Sequence, residues 1–170
     1  MTTHQRDYRE IITKAVCGNG KKFIQSKDEV MSNHHPSSIL GCWIINHEYH
    51  ARKQTGNIVQ IEGHYDINIW YAFQDNSKTE VVREQIHYCD DIPLTEVDEH
   101  AFDHIHEVMA KVVKQPNCME CSIVDGRKIH VEVEREFAVE VIGETKVRVK
   151  VTPIPIKNNP SQSAVVKRVK

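Results

Sequence analysis

The feature that most constrains this chain is a strict alternation of apolar and charged residues near its C-terminal end. Val131, Val133, Phe137, Val139 and Val141 share one parity with Arg135, while His130, Glu132, Glu134, Glu136, Ala138 and Glu140 share the other. A helix would scatter these residues around its axis, whereas a strand sends them to opposite faces, one dry and one wet. Arg135 is the one charge in the dry row, and it marks either a bend or a paired charge. The same period returns in Val147, Val149 and Val151 against Lys146, Arg148 and Lys150. A further inward row is Ile67, Ile69, Tyr71 and Phe73, with Asp66, Asn68 and Trp70 behind it.

Other runs read as strands over residues 8–17, 39–49, 58–62, 79–88 and 117–124. Glycines 18, 20, 56, 63, 126 and 143 fall between runs, where a turn can use positive φ. Asp125-Gly126 between two alternating runs predicts a hairpin with a two-residue type I′ loop. Many short strands at this spacing predict an all-β fold, an antiparallel β-sandwich or a barrel-like closure of one. Val97, Ala101, Ile105, Val108, Met109 and Val112 recur at helical spacing, so the segment is read as a loop or helical turn to about residue 105, then a strand. Residues 26–38 read as a loop. The expected organisation is a short N-terminal tail over 1–7, one β-sandwich domain over 8–152, and a flexible basic tail over 153–170 with three prolines.

With 170 residues the chain can bury a core without disulfides or metal as a prerequisite. A formal charge of -2 gives no overall footprint for nucleic acid, and no apolar run approaches the roughly 20 residues that span a bilayer. The polar start, Met1-Thr2-Thr3-His4-Gln5-Arg6-Asp7, has no apolar signal region, so the protein is expected in the cytoplasm of the cell that makes it. The cysteines are Cys17, Cys42, Cys89, Cys118 and Cys121, and an odd count argues against an internal disulfide framework. One thiol at least remains for bonds between chains if the protein meets an oxidising surface.

Two constellations have metal-ligand spacing. Cys118-Met119-Glu120-Cys121 lacks a second pair or a following histidine pair, and on a regular strand residues three apart point to opposite faces. The expectation is one buried thiol and one exposed. His100, His104 and His106 stand among Asp98, Glu99, Asp103 and Glu107, and on a helix His100 and His104 would share a face. Spacing fixes no third ligand, so the favoured reading is a solvated acidic segment. The pairs His47 and His50, and His34 and His35, are weaker candidates. No nucleophile elbow, phosphate loop or dinucleotide fingerprint is present, and neither catalytic residues nor a cofactor are assigned.

Three stretches carry a resemblance. The first is Tyr8-Arg9-Glu10-Ile11-Ile12-Thr13-Lys14-Ala15-Val16. The second is Pro36-Ser37-Ser38-Ile39-Leu40-Gly41-Cys42-Trp43-Ile44-Ile45-Asn46-His47, continued by Ile61-Glu62-Gly63-His64-Tyr65-Asp66-Ile67-Asn68-Ile69-Trp70-Tyr71. The third is Lys78-Thr79-Glu80-Val81-Val82, then Gln115-Pro116-Asn117-Cys118, Glu134-Arg135-Glu136-Phe137 and Gly143-Glu144-Thr145-Lys146-Val147. Together they resemble the CotE family of outer spore coat proteins over most of residues 8–152.

The resemblance implies a structural protein, made in the mother-cell cytoplasm and then held in the spore coat. It implies a homo-oligomer that assembles around the forespore, with basal-layer and outer-coat proteins as partners and no enzymatic activity. A long acidic tail, tied in one member of the family to recruitment, is replaced here by a basic end with Lys167, Arg168 and Lys170, which leaves the identity of the recruited partners open. Two other classes compete with the coat scaffold. One is a small soluble β-sandwich that binds metal or a ligand through His and Cys, and the other is a hydrolase or redox enzyme.

Overall fold

The computed structural model describes residues 7–98 and 101–152. They form seven strands and, among the described residues, no helix: β1 (Tyr8–Met31), β2 (Pro36–Lys53), β3 (Ile58–Phe73), β4 (Lys78–Pro93), β5 (Glu96–Val97), β6 (Ala101–Asp125) and β7 (Lys128–Lys150). All pairings are antiparallel, in a four-stranded sheet ordered β5-β1-β7-β6 and a three-stranded sheet ordered β2-β3-β4. The central strands β7 and β3 face each other, with β6 over β2 on one side and β1 beside β4 on the other. The result is an open sandwich and not a barrel, because no strand is shared by the two sheets.

The alternation that opened the sequence reading is the centre of the fold. On β7 every second residue from Ile129 to Thr145 is buried, while the intervening ones meet solvent in part. Opposite it, Val59, Ile61, Tyr65, Ile67, Ile69 and Tyr71 of β3 are fully buried. One apolar cluster joins Val30, Ile129, Val131 and Val133 to Tyr65, Ile67, Ile69, Tyr71 and Phe73. A second joins Val59, Ile61 and Ile92 to Phe137, Val139 and Val141. Arg135 falls between the two, so one charged residue in the dry row divides the core in half.

Several sequence expectations are corrected. The strands are longer than the apolar runs suggest. The loop expected over 26–38 shrinks to residues 32–35, because β1 runs to Met31 with Val30 inside and Lys27 outside, 3.4 Å from Glu132. Where a loop or helical turn was expected up to about residue 105, residues 96–97 and 101–105 are strand. β6 slips against β7 between 101 and 105, 105 and 107, and 112 and 114. Each extra residue breaks the period of two, and the apolar spacing then imitates a helix. Gly18, Gly20, Gly63 and Gly143 lie inside strands and not at turns. At Gly63 a Cβ would fall 2.4 Å from the Tyr88 hydroxyl and 2.6 Å from the Glu48 carbonyl, so close approach requires the glycine. The predicted hairpin exists one residue later: Asp125 pairs with Lys128, and the loop is Gly126-Arg127. Only Gly126 has positive φ, 55°, which is the signature of a type II′ loop. The basic tail expected over 153–170 lies outside the described residues, as do residues 1–6.

Candidate functional site

The first concentration of polar chemistry is the buried centre that splits the core. Arg135, only 3% exposed, reaches across from β7 to Asp90 of β4, with Nε to Oδ2 and Nη2 to Oδ1 both at 2.7 Å. Its Nη1 donates to Ser26 Oγ of β1 at 3.1 Å, and the guanidinium carbon lies 4.2 Å from the centre of the Tyr88 ring. Burial opposes the charge, but the hydrogen bonds and the field of Asp90 outweigh it and hold Arg135 above its ordinary range. The expectation of a paired charge at Arg135 is therefore met. Burial is also the main cause that raises the Tyr88 and Tyr65 phenols, and the Tyr65 hydroxyl donates to Asp28 at 2.8 Å.

A bulge in β2 completes this centre. Ile45 pairs with Asp66 and Glu48 with His64, so β2 carries one residue more than β3 between those pairs. Asn46 takes up the turn with φ 56° and donates from Nδ2 to Asp66 at 2.8 Å. His47 is thereby turned to the inner face, half-buried among Tyr49, Tyr65, Tyr88 and Phe137. Its Nδ1 donates to the Gln115 amide oxygen at 3.0 Å and its Nε2 accepts from the Tyr88 hydroxyl at 2.6 Å. Burial lowers its pKa below the ordinary value, against the raising effect of Gln115, with Arg135 and His64 lowering it further. The lowered pKa favours the neutral ring, and His50, outside on the same strand, pairs with Glu62 at 3.3 Å. His34 stacks on Phe73 at 4.2 Å and meets Glu80 at 2.7 Å.

The cysteine pair departs from expectation. Cys118 pairs with Val133 and Cys121 with Val131, both inward positions on β7, because Met119 is an extra residue in the ladder. The bulge puts both thiols on one face, and both are half-buried. Cys42 of β2 faces them there against the same apolar cluster, and the three thiols interact. Sequence spacing alone could not place Cys42, which is 76 residues upstream of Cys118. His100 lies outside the described residues, as do the side chains of His104 and His106. Among the described residues, no group of His, Cys, Asp and Glu is arranged to hold a metal ion. A shallow cleft of about 540 Å³ on the outer face of β2-β3-β4 is lined by Glu48, His50, Glu62, His64, His87 and Cys89, and its carboxylates are taken up by His50, His64 and Arg52.

What remains is the periphery. β4 pairs with β3 over 16 consecutive positions without a register shift, and no described strand pairs with its other edge, where Lys22 Nζ donates to the Asp91 carbonyl at 2.9 Å. The outer edges β2 and β6 carry three and six irregularities respectively. Residues 8–16 and 142–150 form a ribbon that belongs to neither apolar cluster and exposes Tyr8, Ile12, Val16 and Val147. On the outer face of the smaller sheet Gly41, Trp70 and Val81 lie side by side across three strands, with Trp43 next to them, and both tryptophans are about two-fifths exposed.

The described residues thus define an all-β structural sandwich, distinguished by its edges and exposed apolar faces. The chain belongs to the outer spore coat protein E (CotE) family, whose model matches residues 7–168. The match spans all seven strands and most of the C-terminal segment beyond them. It is a family of the outer spore coat, and its proteins are structural. No curated protein and no solved structure matches the chain.

Proposed function

We propose that this chain is a scaffold that self-assembles around the forespore in the mother cell and recruits outer-coat proteins. Family membership gives the outer coat as the setting. The observation that carries the assembly reading is the edge of β4 away from β3, regular over Lys78–Pro93 and paired with no described strand, its last residues from Asp91 lying against β1. An unpaired row of N–H and C=O groups is a template for a strand of another chain. Natural sheets blunt such edges with bulges, and β2 and β6 are blunted in that way while β4 is not. The ribbon over 8–16 and 142–150 offers a second contact, with Ile12 63% exposed. Two different contacts on one chain build rings or extended arrays, depending on whether the rotation closes. Recruitment of other coat proteins then uses faces that the lattice leaves free, among them the Trp43 and Trp70 face.

The test is to charge each contact separately. Val81→Lys with Gln85→Lys places cations along β4, and Ile12→Lys with Val147→Lys does the same on the ribbon. All four sites are at least partly exposed, so the fold tolerates the changes. Light scattering should show the β4 variant arrested at a small oligomer or monomer. Particles of wild-type size from both variants would reject these contacts as the basis of assembly.

A further inference from the structure

The two open sides of the sandwich are not alike. On the β1 and β4 side, the chain after β4 crosses between the sheets: Thr95 N–H donates to the Asn19 carbonyl at 2.9 Å and Asp98 N–H to the Cys17 carbonyl at 2.7 Å, with β5 paired to β1 between them. On the β2 and β6 side no described segment crosses, and the two strands meet through side chains of β2 that reach β6. His47 reaches Gln115 at 3.0 Å, Tyr49 reaches the Ala110 carbonyl at 3.4 Å, and Cys42 meets Cys118 and Cys121. All three thiols pack against the same apolar cluster, and each is half-buried. A bulge at Met119 is what turns both β6 thiols toward β2.

We propose that this trio is an oxidation site, at which Cys42 forms an intramolecular disulfide with Cys118 or Cys121 and staples β2 to β6 across the open seam. The oxidant is a small-molecule disulfide. A β6 thiolate attacks it, forming a mixed disulfide and releasing one small thiolate. Cys42 then gives up its proton and attacks the β6 sulfur, releasing the second small thiolate. Two protein thiols are oxidised, one small disulfide is reduced to two thiols, and the electron count closes. The first step falls to β6 because interaction with the Cys42 thiol lowers the pKa of Cys118 and of Cys121, whereas the same interaction, and then burial, raises that of Cys42. The third thiol stays within reach of the new bond and exchanges it between positions 118 and 121. Cys17 and Cys89 stand outside the trio, on β1 and β4.

The staple links the two sheets and closes a loop of roughly 75 residues, for which the chain-entropy account gives a rise in Tm on the order of 10 °C. The experiment incubates the full folded chain with excess oxidised glutathione, counts free thiols, and maps the linked peptides by mass spectrometry without reduction. The proposal expects the count to fall by two within single chains, a peptide joining Cys42 to Cys118 or Cys121, and the Tm rise. Cys118→Ala and Cys121→Ala should each keep the bond, and Cys42→Ala should lose the Tm rise. A Cys17→Ala, Cys89→Ala double variant should behave as wild type, which covers the case in which Cys42→Ala folds poorly. An unchanged thiol count, links found only between chains, or a mapped bond that omits Cys42 overturns the proposal.

Discussion

Replacing Arg135 with Met tests how the core is held together. The substitution keeps much of the side-chain length but removes both 2.7 Å bonds to Asp90 and the bond to Ser26. Asp90 is 8% exposed and would remain as a buried carboxylate without its partner. Breaking a buried pair from one side costs about 3–5 kcal/mol, a large part of the 5–15 kcal/mol that holds a domain together. The expected loss in Tm is roughly 6–20 °C for a folded unit of this size. Asp90→Leu alone leaves the guanidinium stranded and should cost a similar amount. The double variant should recover most of the loss, because an apolar pair would join the two clusters that the ion pair now separates. Urea unfolding followed by the fluorescence of Trp43 and Trp70 gives the four free energies of the cycle. Protein concentration is held fixed, since assembly adds to apparent stability. A single variant that loses less than about 1 kcal/mol, or a double variant that loses the sum of the singles, would refute the reasoning.

Stability should also fall as the medium is acidified below the ordinary histidine value of 6.5, because burial lowers the folded pKa of His47. In that window the unfolded chain binds the proton more readily than the folded one, so stability present above pH 6.5 is lost on the way down. Denaturation midpoints from pH 7.5 to 5.5 should be flatter for His47→Gln than for wild type, and parallel curves would show that His47 does not titrate in this way. Gly63→Ala should destabilise by about 2 kcal/mol or more, since the added Cβ meets the Tyr88 hydroxyl at 2.4 Å and backbone at 2.6 Å. A thermal melt unchanged from wild type would mean that β2 and Tyr88 yield freely at that point.

The fold class was legible because the central strands of both sheets are regular. β7 and β3 are each flanked by two strands, so their inward rows must be continuous and a period of two survives unbroken. The edge strands were less legible for the opposite reason. Bulges at Met119 and at Asn46-His47, together with the slips along the start of β6, insert single residues that reverse the faces predicted downstream. That is why Cys118 and Cys121 share a face, why His47 is on the inner face, and why the start of β6 imitated a helix. Asn46 was the available signal, since asparagine adopts positive φ more readily than most residues. Arg135 announced either a bend or a paired charge by standing in an apolar row, but its partner Asp90 lies 45 residues away, where no local pattern points to it. Cys42 was invisible as a partner of the β6 thiols for the same reason, as their contact exists only once the two sheets stack.

The central claim is assembly through strand edges and exposed apolar faces, without thiol bonds. Size-exclusion chromatography with light scattering, run in excess reductant across a range of protein concentrations, tests it directly. The account predicts particles well above the 19.6 kDa chain mass at micromolar protein, with the same sizes when reductant is present or absent. A 19.6 kDa species that persists to about 100 μM, or large particles that fall to single chains on reduction, would contradict it.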